Sequence, residues 1–198
     1  MLQKIDEQNE QQIIVRAKPK LKRGELAKIV FQGHFFRVWQ WPQKLFDNSE
    51  ATFESLSRAD TVTVLALTKD QKIIMTRQSQ PGFDEFWSMP GGIMDEGESV
   101  LSSSKRELLE ETGYASNEWY FLFSGQMNSR IDWANFYLIA KNCEQVSEKN
   151  LDPGEKISLE FFDLNQFAEL VKDKNFRDSD FALWYLRNNG EELKPFLD

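Results

Sequence analysis

Between residues 91 and 114 the chain reads GGIMDEGESVLSSSKRELLEETGY, and no other stretch constrains the fold as tightly. Two glycines open a loop, the run from Ser99 to Thr112 has helical character, and Gly113 stands where a helix takes a left-handed cap. On that helix Glu107, Glu110 and Glu111 are related by spacings of three and four, so three carboxylates share one face. Like charges so placed cost roughly 0.2–0.5 kcal/mol per pair. Acidic groups in the last turns also oppose the helix dipole. A fold that keeps both penalties gains something from the cluster, and hard oxygen ligands on one face suit Mg²⁺, with Mn²⁺ as a substitute. The blander reading is a solvated acidic face neutralised by Lys105 and Arg106. The surrounding spacing favours the first: Glu98 lies eight residues before Arg106, where it can meet both free amides and a guanidinium.

The rest of the chain supplies short strands and helices around this element. Residues 28–41 are rich in β-branched and aromatic residues, with a bend expected at Gly33 and a stop at Pro42. Residues 61–67 and 72–76 flank a four-residue turn and predict a hairpin, and strands are expected at 119–123, 135–139 and 157–162. Residues 163–171 and 178–188 have amphipathic helical patterns, while residues 1–23 are polar and read as a loosely held arm or helix. The class is α/β (α+β). At 198 residues the chain is divided into an N-terminal arm and β extension, 1–60, and a main domain, 61–198.

Charge and composition exclude several classes. Lys plus Arg number 24 against 32 Asp plus Glu, a net charge of −8, which repels nucleic-acid backbones and anionic membranes. A small anionic substrate then needs something positive recruited to meet it. One cysteine, Cys143, and one histidine, His34, leave no disulfide framework and no multi-Cys or His-rich metal site. The first residues are too polar for a secretory signal, and no apolar run approaches a membrane span, so a cytoplasmic protein is expected.

Gly92, Glu98, Arg106-Glu107-Leu108, Glu110-Glu111 and Gly113 fall at every fixed position of the Nudix box, and on these residues the chain resembles the Nudix hydrolases. One departure is Tyr114, which stands where the family usually has an aliphatic residue. The resemblance implies an αβα sandwich with a mixed β-sheet. It also implies a metal-dependent pyrophosphohydrolase that cleaves a nucleoside diphosphate linked to a group X.

Residue by residue, it implies Glu107 and Glu111 as the main metal ligands, Glu110 completing the cluster, and a Gly91 or Gly92 carbonyl adding a ligand. Arg106 with Glu98 would be the ion pair that orients the helix. A catalytic base from a later loop points to Glu155, with Glu160 second. For substrate contacts Arg77, Gln78, Arg58, Trp87 and Arg130 are the candidates. Phe35, Trp39 and Trp41 suit stacking on a base or, more often, a core or dimer contact.

The segment 24–59 resembles the extension of the ADP-ribose and nucleotide-sugar pyrophosphatases, where it supports a homodimer. The proline marker of the ADP-ribose branch is absent, Asn128-Ser129-Arg130 standing in its region. ADP-ribose or another nucleoside diphosphate sugar is the leading expected substrate, giving a nucleoside monophosphate and a sugar phosphate. The alternatives are a (deoxy)nucleoside triphosphate pyrophosphohydrolase and a non-catalytic nucleotide sensor of the same fold.

Overall fold

A strand buried on both faces fixes the centre of the molecule: in 61–68 every residue after Thr61 is buried, as in a sheet covered on both sides. The computed structural model describes residues 2–126, 128–151, 153–193 and 195. Its elements begin with β1 (Gln3–Ile5), α1 (Glu10–Ile13), β2 (Lys28–Gln32), β3 (Arg37–Lys44), β4 (Glu50–Ser57) and β5 (Thr61–Thr68). They continue with β6 (Ile73–Ser79), β7 (Phe86–Ser88), β8 (Gly91–Ile93), α2 (Val100–Thr112), β9 (Tyr114–Ala115) and β10 (Glu118–Gly125). The last are β11 (Ile131–Asp132), β12 (Asn135–Gln145), β13 (Lys156–Phe162), α3 (Leu164–Leu170) and α4 (Ser179–Arg187).

Among the described residues the larger sheet runs β1-β10-β12-β5-β6-β13, with β7 on β6, β8 on β5 and β9 on β12. It is mixed: β12 and β5 are parallel, while β10 and β6 run antiparallel to them. Alternation along β5 divides the core. Val62, Val64 and Ala66 pack with Leu101 and Leu108 of α2, whereas Leu65 and Leu67 pack with Phe167 of α3 and Phe181 of α4. Helices therefore cover both faces, the αβα sandwich expected. A smaller sheet, β11-β4-β3-β2, stands beside it.

The expected helices form where their caps are. Ser99 accepts from the Ser102 amide and starts α2, and Gly113 ends it at φ 76° with its amide donating to the Leu109 carbonyl. A side chain at Gly113 would strike the Ser147 carbonyl oxygen. Asp163 and Gln166 close a reciprocal capping box on α3.

Three expectations at the N-terminal side change. Pro42 does not stop β3, which runs on to Lys44. β2 pairs no further along β3 than Gln40, so at Pro42 the strand has only β4 as neighbour, and an edge tolerates a missing donor. Residues 50–57, not anticipated as a strand, form β4. Serines at its buried positions, Ser55 and Ser57, conceal the period. The arm is not loose either: β1 adds antiparallel to β10, and Ile5 is 2% exposed.

Candidate active site

The carboxylates of α2 meet the glycine pair of β8 at one end of the larger sheet. A Cβ added at Gly92 would lie 2.5 Å from Glu107 Oε1, so only glycine lets this carboxylate sit against the strand. The Gly91 amide donates to Glu111 Oε2 at 2.9 Å, and Gln78 Nε2 donates to Glu111 Oε1 at 3.1 Å. Gln78 is itself buried and also donates to Ser88 Oγ. Glu111, 4% exposed, is thus fixed by donors from two strands.

Burial raises the Glu111 carboxyl well above its ordinary range; the Gly91 amide opposes this, and the charges of Glu107 and Glu155 reinforce it. Burial likewise pushes Glu107 up to about 7, against the pull of Arg106 and with the charges of Glu110 and Glu155 adding to the rise. Four carboxylates therefore act on one another here.

Arg106 is the hub that offsets part of this repulsion. Its Nη1 donates to Glu107 Oε1 at 2.8 Å and to Glu110 Oε2 at 3.1 Å. Its Nη2 reaches Glu98 Oε2 and the Ile93 carbonyl, each at 3.0 Å. The Glu98 bond chiefly holds the guanidinium proton more firmly than usual. Among the described residues, no three His, Cys, Asp or Glu side chains are already drawn together tightly enough to hold a metal ion. Glu107 and Glu110 both lean on Arg106.

Glu155 reaches the cluster from the loop before β13, and that loop hangs from the end of α2. The Val146 amide donates to the Gly113 carbonyl and the Asn150 amide to the Glu110 carbonyl, each at 2.9 Å. Glu107, Glu110, Glu111 and Glu155 all line a cleft of about 860 Å³. The same cleft is lined by Arg58, Arg177, Phe36, Trp133, Asn135 and Tyr137.

A family model for the NUDIX domain matches residues 57–185, well over half of the chain. The chain belongs to the Nudix family. It is a Nudix pyrophosphohydrolase, as the box residues imply. It is similar to the methanol dehydrogenase activator of Bacillus methanolicus, 24% identical over 163 residues, covering 80% of this chain and 88% of that protein. An ADP-ribose pyrophosphatase of Bacillus subtilis matches with the same identity and coverage. Among solved structures, an ADP compounds hydrolase superposes with a TM-score of 0.71 over 91% of this chain and 97% of that one, at 23% identity, which shows a shared fold.

In this Nudix hydrolase the remaining candidates separate. Gln78 and Arg58 line the cleft. Arg77 does not: alternation along β6 sends it to the other face, where it is exposed and ion-paired with Glu85. Trp87 is also outside the cleft, packed edge-on against Phe162 at 5.5 Å with the Arg77 guanidinium over it. Arg130 is exposed ahead of β11 with its guanidinium over Phe53, away from the cleft. Glu160 is exposed on β13. Trp41 is core, and Trp39 donates to Ser57 Oγ beneath the Arg23 guanidinium, while Phe35 does line the cleft.

Several lining residues carried no sequence signal of their own. Arg177 and Asp178 stand where an amphipathic helix was expected to begin, and Asn135 and Tyr137 open a strand. Asp178 Oδ2 accepts from the Met89 amide at 2.8 Å, and burial pushes its carboxyl up to about 7. Trp133 Nε1 donates to Thr61 Oγ1 at 3.0 Å, fixing the indole at the cleft wall.

Proposed function

We propose that this enzyme hydrolyses the diphosphate bridge of a nucleoside diphosphate linked to X, with ADP-ribose or another nucleoside diphosphate sugar as substrate. The observation that carries this is the gathering of Glu107, Glu110, Glu111 and Glu155, beside the glycine pair, on the wall of a cleft of about 860 Å³. The relatives named for ADP-ribose hydrolysis support the substrate class.

The donor chemistry suits a divalent cation, on which the carboxylates would have to converge. Carboxylates whose proton affinity is raised by burial and then by neighbouring carboxylates are relieved by a hard positive charge, and a glycine leaves room against Glu107. Mg²⁺ would be held by Glu107, Glu110, Glu111 and a Gly91 carbonyl, with Mn²⁺ as its substitute. When bound, it supplies neutralisation of the diphosphate and acidification of a water.

The chain's own residues do the rest. Gln78 and the Gly91 amide hold the Glu111 carboxylate in one orientation. Arg106, tied to Glu98 and the Ile93 carbonyl, sets α2 against β8. Glu155 takes the proton of the attacking water as general base. Phosphorus–oxygen cleavage then leaves a nucleoside monophosphate and a sugar phosphate.

The test is a panel of ADP-ribose, nucleotide sugars and nucleoside triphosphates with Mg²⁺, products identified by mass in heavy-oxygen water. A monophosphate plus a sugar phosphate supports the reading. Pyrophosphate released from triphosphates alone overturns it in favour of a triphosphate pyrophosphohydrolase.

A further inference from the structure

Two arginines on the cleft wall stand out for what they are not bound to. Arg58, between β4 and β5, has its guanidinium 4.7 Å from the Trp133 ring and 5.8 Å from the Phe36 ring. Arg177, just before α4, lies 4.6 Å from the Phe86 ring and 5.4 Å from the Phe83 ring. Each is thus held by aromatic faces, and neither forms an ion pair with a described residue.

The acids near Arg58 are already committed. Asp60, two residues on, pairs with Arg16 at 2.6 Å, and Asp132, beside Trp133, pairs with Arg16 at 2.9 Å and Arg23 at 3.2 Å. Asp178, next to Arg177, turns its Oδ2 to the Met89 amide and forms no ion pair with Arg177, although the Arg177 charge acts on its buried carboxyl. Burial lowers the proton affinity of Arg58, and the charge of Arg177 lowers it further. The two cations therefore face one cavity within electrostatic reach of each other. Such a pair is uncomfortable until an anion sits between them, and a planar guanidinium held by stacking is preset for phosphate or carboxylate.

The cleft consequently has two unlike regions. One is the acidic wall of Glu107, Glu110, Glu111 and Glu155, suited to a cation and the diphosphate. The other is basic and aromatic. We propose that Arg58 and Arg177 form an anion subsite that selects nucleoside diphosphate derivatives carrying one further anionic group, a phosphate monoester or a carboxylate, beyond the diphosphate itself. This rests on the diphosphate hydrolysis proposed above.

Two matched pairs of compounds test it: ADP-ribose against ADP-ribose phosphorylated on a ribose, and UDP-glucose against UDP-glucuronate. For wild type, Arg58→Met and Arg177→Met, kcat/KM is measured with Mg²⁺, and calorimetric affinity for the same four compounds is measured in EDTA. In wild type the member of one pair that carries the further anionic group is favoured at least about 10-fold, the scale of one charge-assisted hydrogen bond. That ratio collapses toward one in each variant, and the pair that shows it identifies phosphate or carboxylate. Ratios near one for both pairs in wild type overturn the proposal, as does a preference that survives in both variants. Should one variant fail to fold, the other still decides, and wild-type ratios near one overturn the proposal without either. If none of the four is hydrolysed but the binding preference and its loss are seen, the subsite stands and the functional reading falls.

Discussion

Glu10 of α1 places its Oε2 3.0 Å from the amide nitrogen of Leu101, a residue 91 positions later in the first turn of α2. The carboxylate is buried, and it satisfies an orphan donor at the positive end of the helix that carries the box. Nearby, Glu7 pairs with Lys105 of the same helix. The N-terminal arm thus acts on the box helix by holding its start. Replacing Glu10 with Ala is expected to lower stability by about 1–2 kcal/mol, the range of a lost helix cap. Urea unfolding in metal-free buffer reads this, and an unchanged midpoint would show the contact to be idle.

Glu111→Gln is expected to reduce turnover by more than about 100-fold, beyond what loss of an outer-shell partner brings. The fold should survive, because a glutamine oxygen still accepts from Gln78 or from the Gly91 amide. Activity at saturating Mg²⁺ together with a melting curve separates the two effects. Near-normal turnover would remove Glu111 from the metal site.

Glu155→Gln should slow kcat with little change in KM, since a base acts in the transition state. Steady-state kinetics on the best substrate decide. A change confined to KM would make Glu155 a binding residue.

Stability of the metal-free enzyme should fall as pH rises. Glu107 binds its proton more tightly when folded, shifted from 4.5 to about 7, so the folded chain gains from protonation that the unfolded chain has lost. The contribution is complete below about pH 4.5 and is lost as pH climbs through about 7. Buried Glu111 and Asp178 shift in the same direction. Saturating Mg²⁺ favours the deprotonated carboxylates and should weaken or reverse the trend. Melting temperatures in EDTA and in Mg²⁺, at about pH 5 and about pH 8, test this sign.

The box was legible because its residues carry both fold and chemistry. Ser99 and Gly113 punctuate α2, and the spacing of Glu107, Glu110 and Glu111 gathers charge on one face. Gln78 was reachable as a neighbour of the box, but Arg77 and Gln78 could not be told apart until the parity of β6 was known. Arg177 and Trp133 gave no warning, because each enters the cleft only through pairings distant in sequence: the Arg177 amide to the Trp87 carbonyl, and Trp133 to Thr61. β4 was hidden for another reason. Ser55 and Ser57 occupy buried positions because Arg23 and Trp39 donate to their hydroxyls, so a polar text faces inward.

The backbone bonds from Val146 to Gly113 and from Asn150 to Glu110 tie the loop of Glu155 directly to the last turn of α2. Acid helix and base loop are consequently joined by backbone, although β9, β10, β11 and β12 intervene in the chain. The turn ahead of β11 can lengthen or shorten without retuning the distance between them. Changes in that turn, whose described residues do not line the cleft, would leave the spacing of the hydrolytic residues as it is.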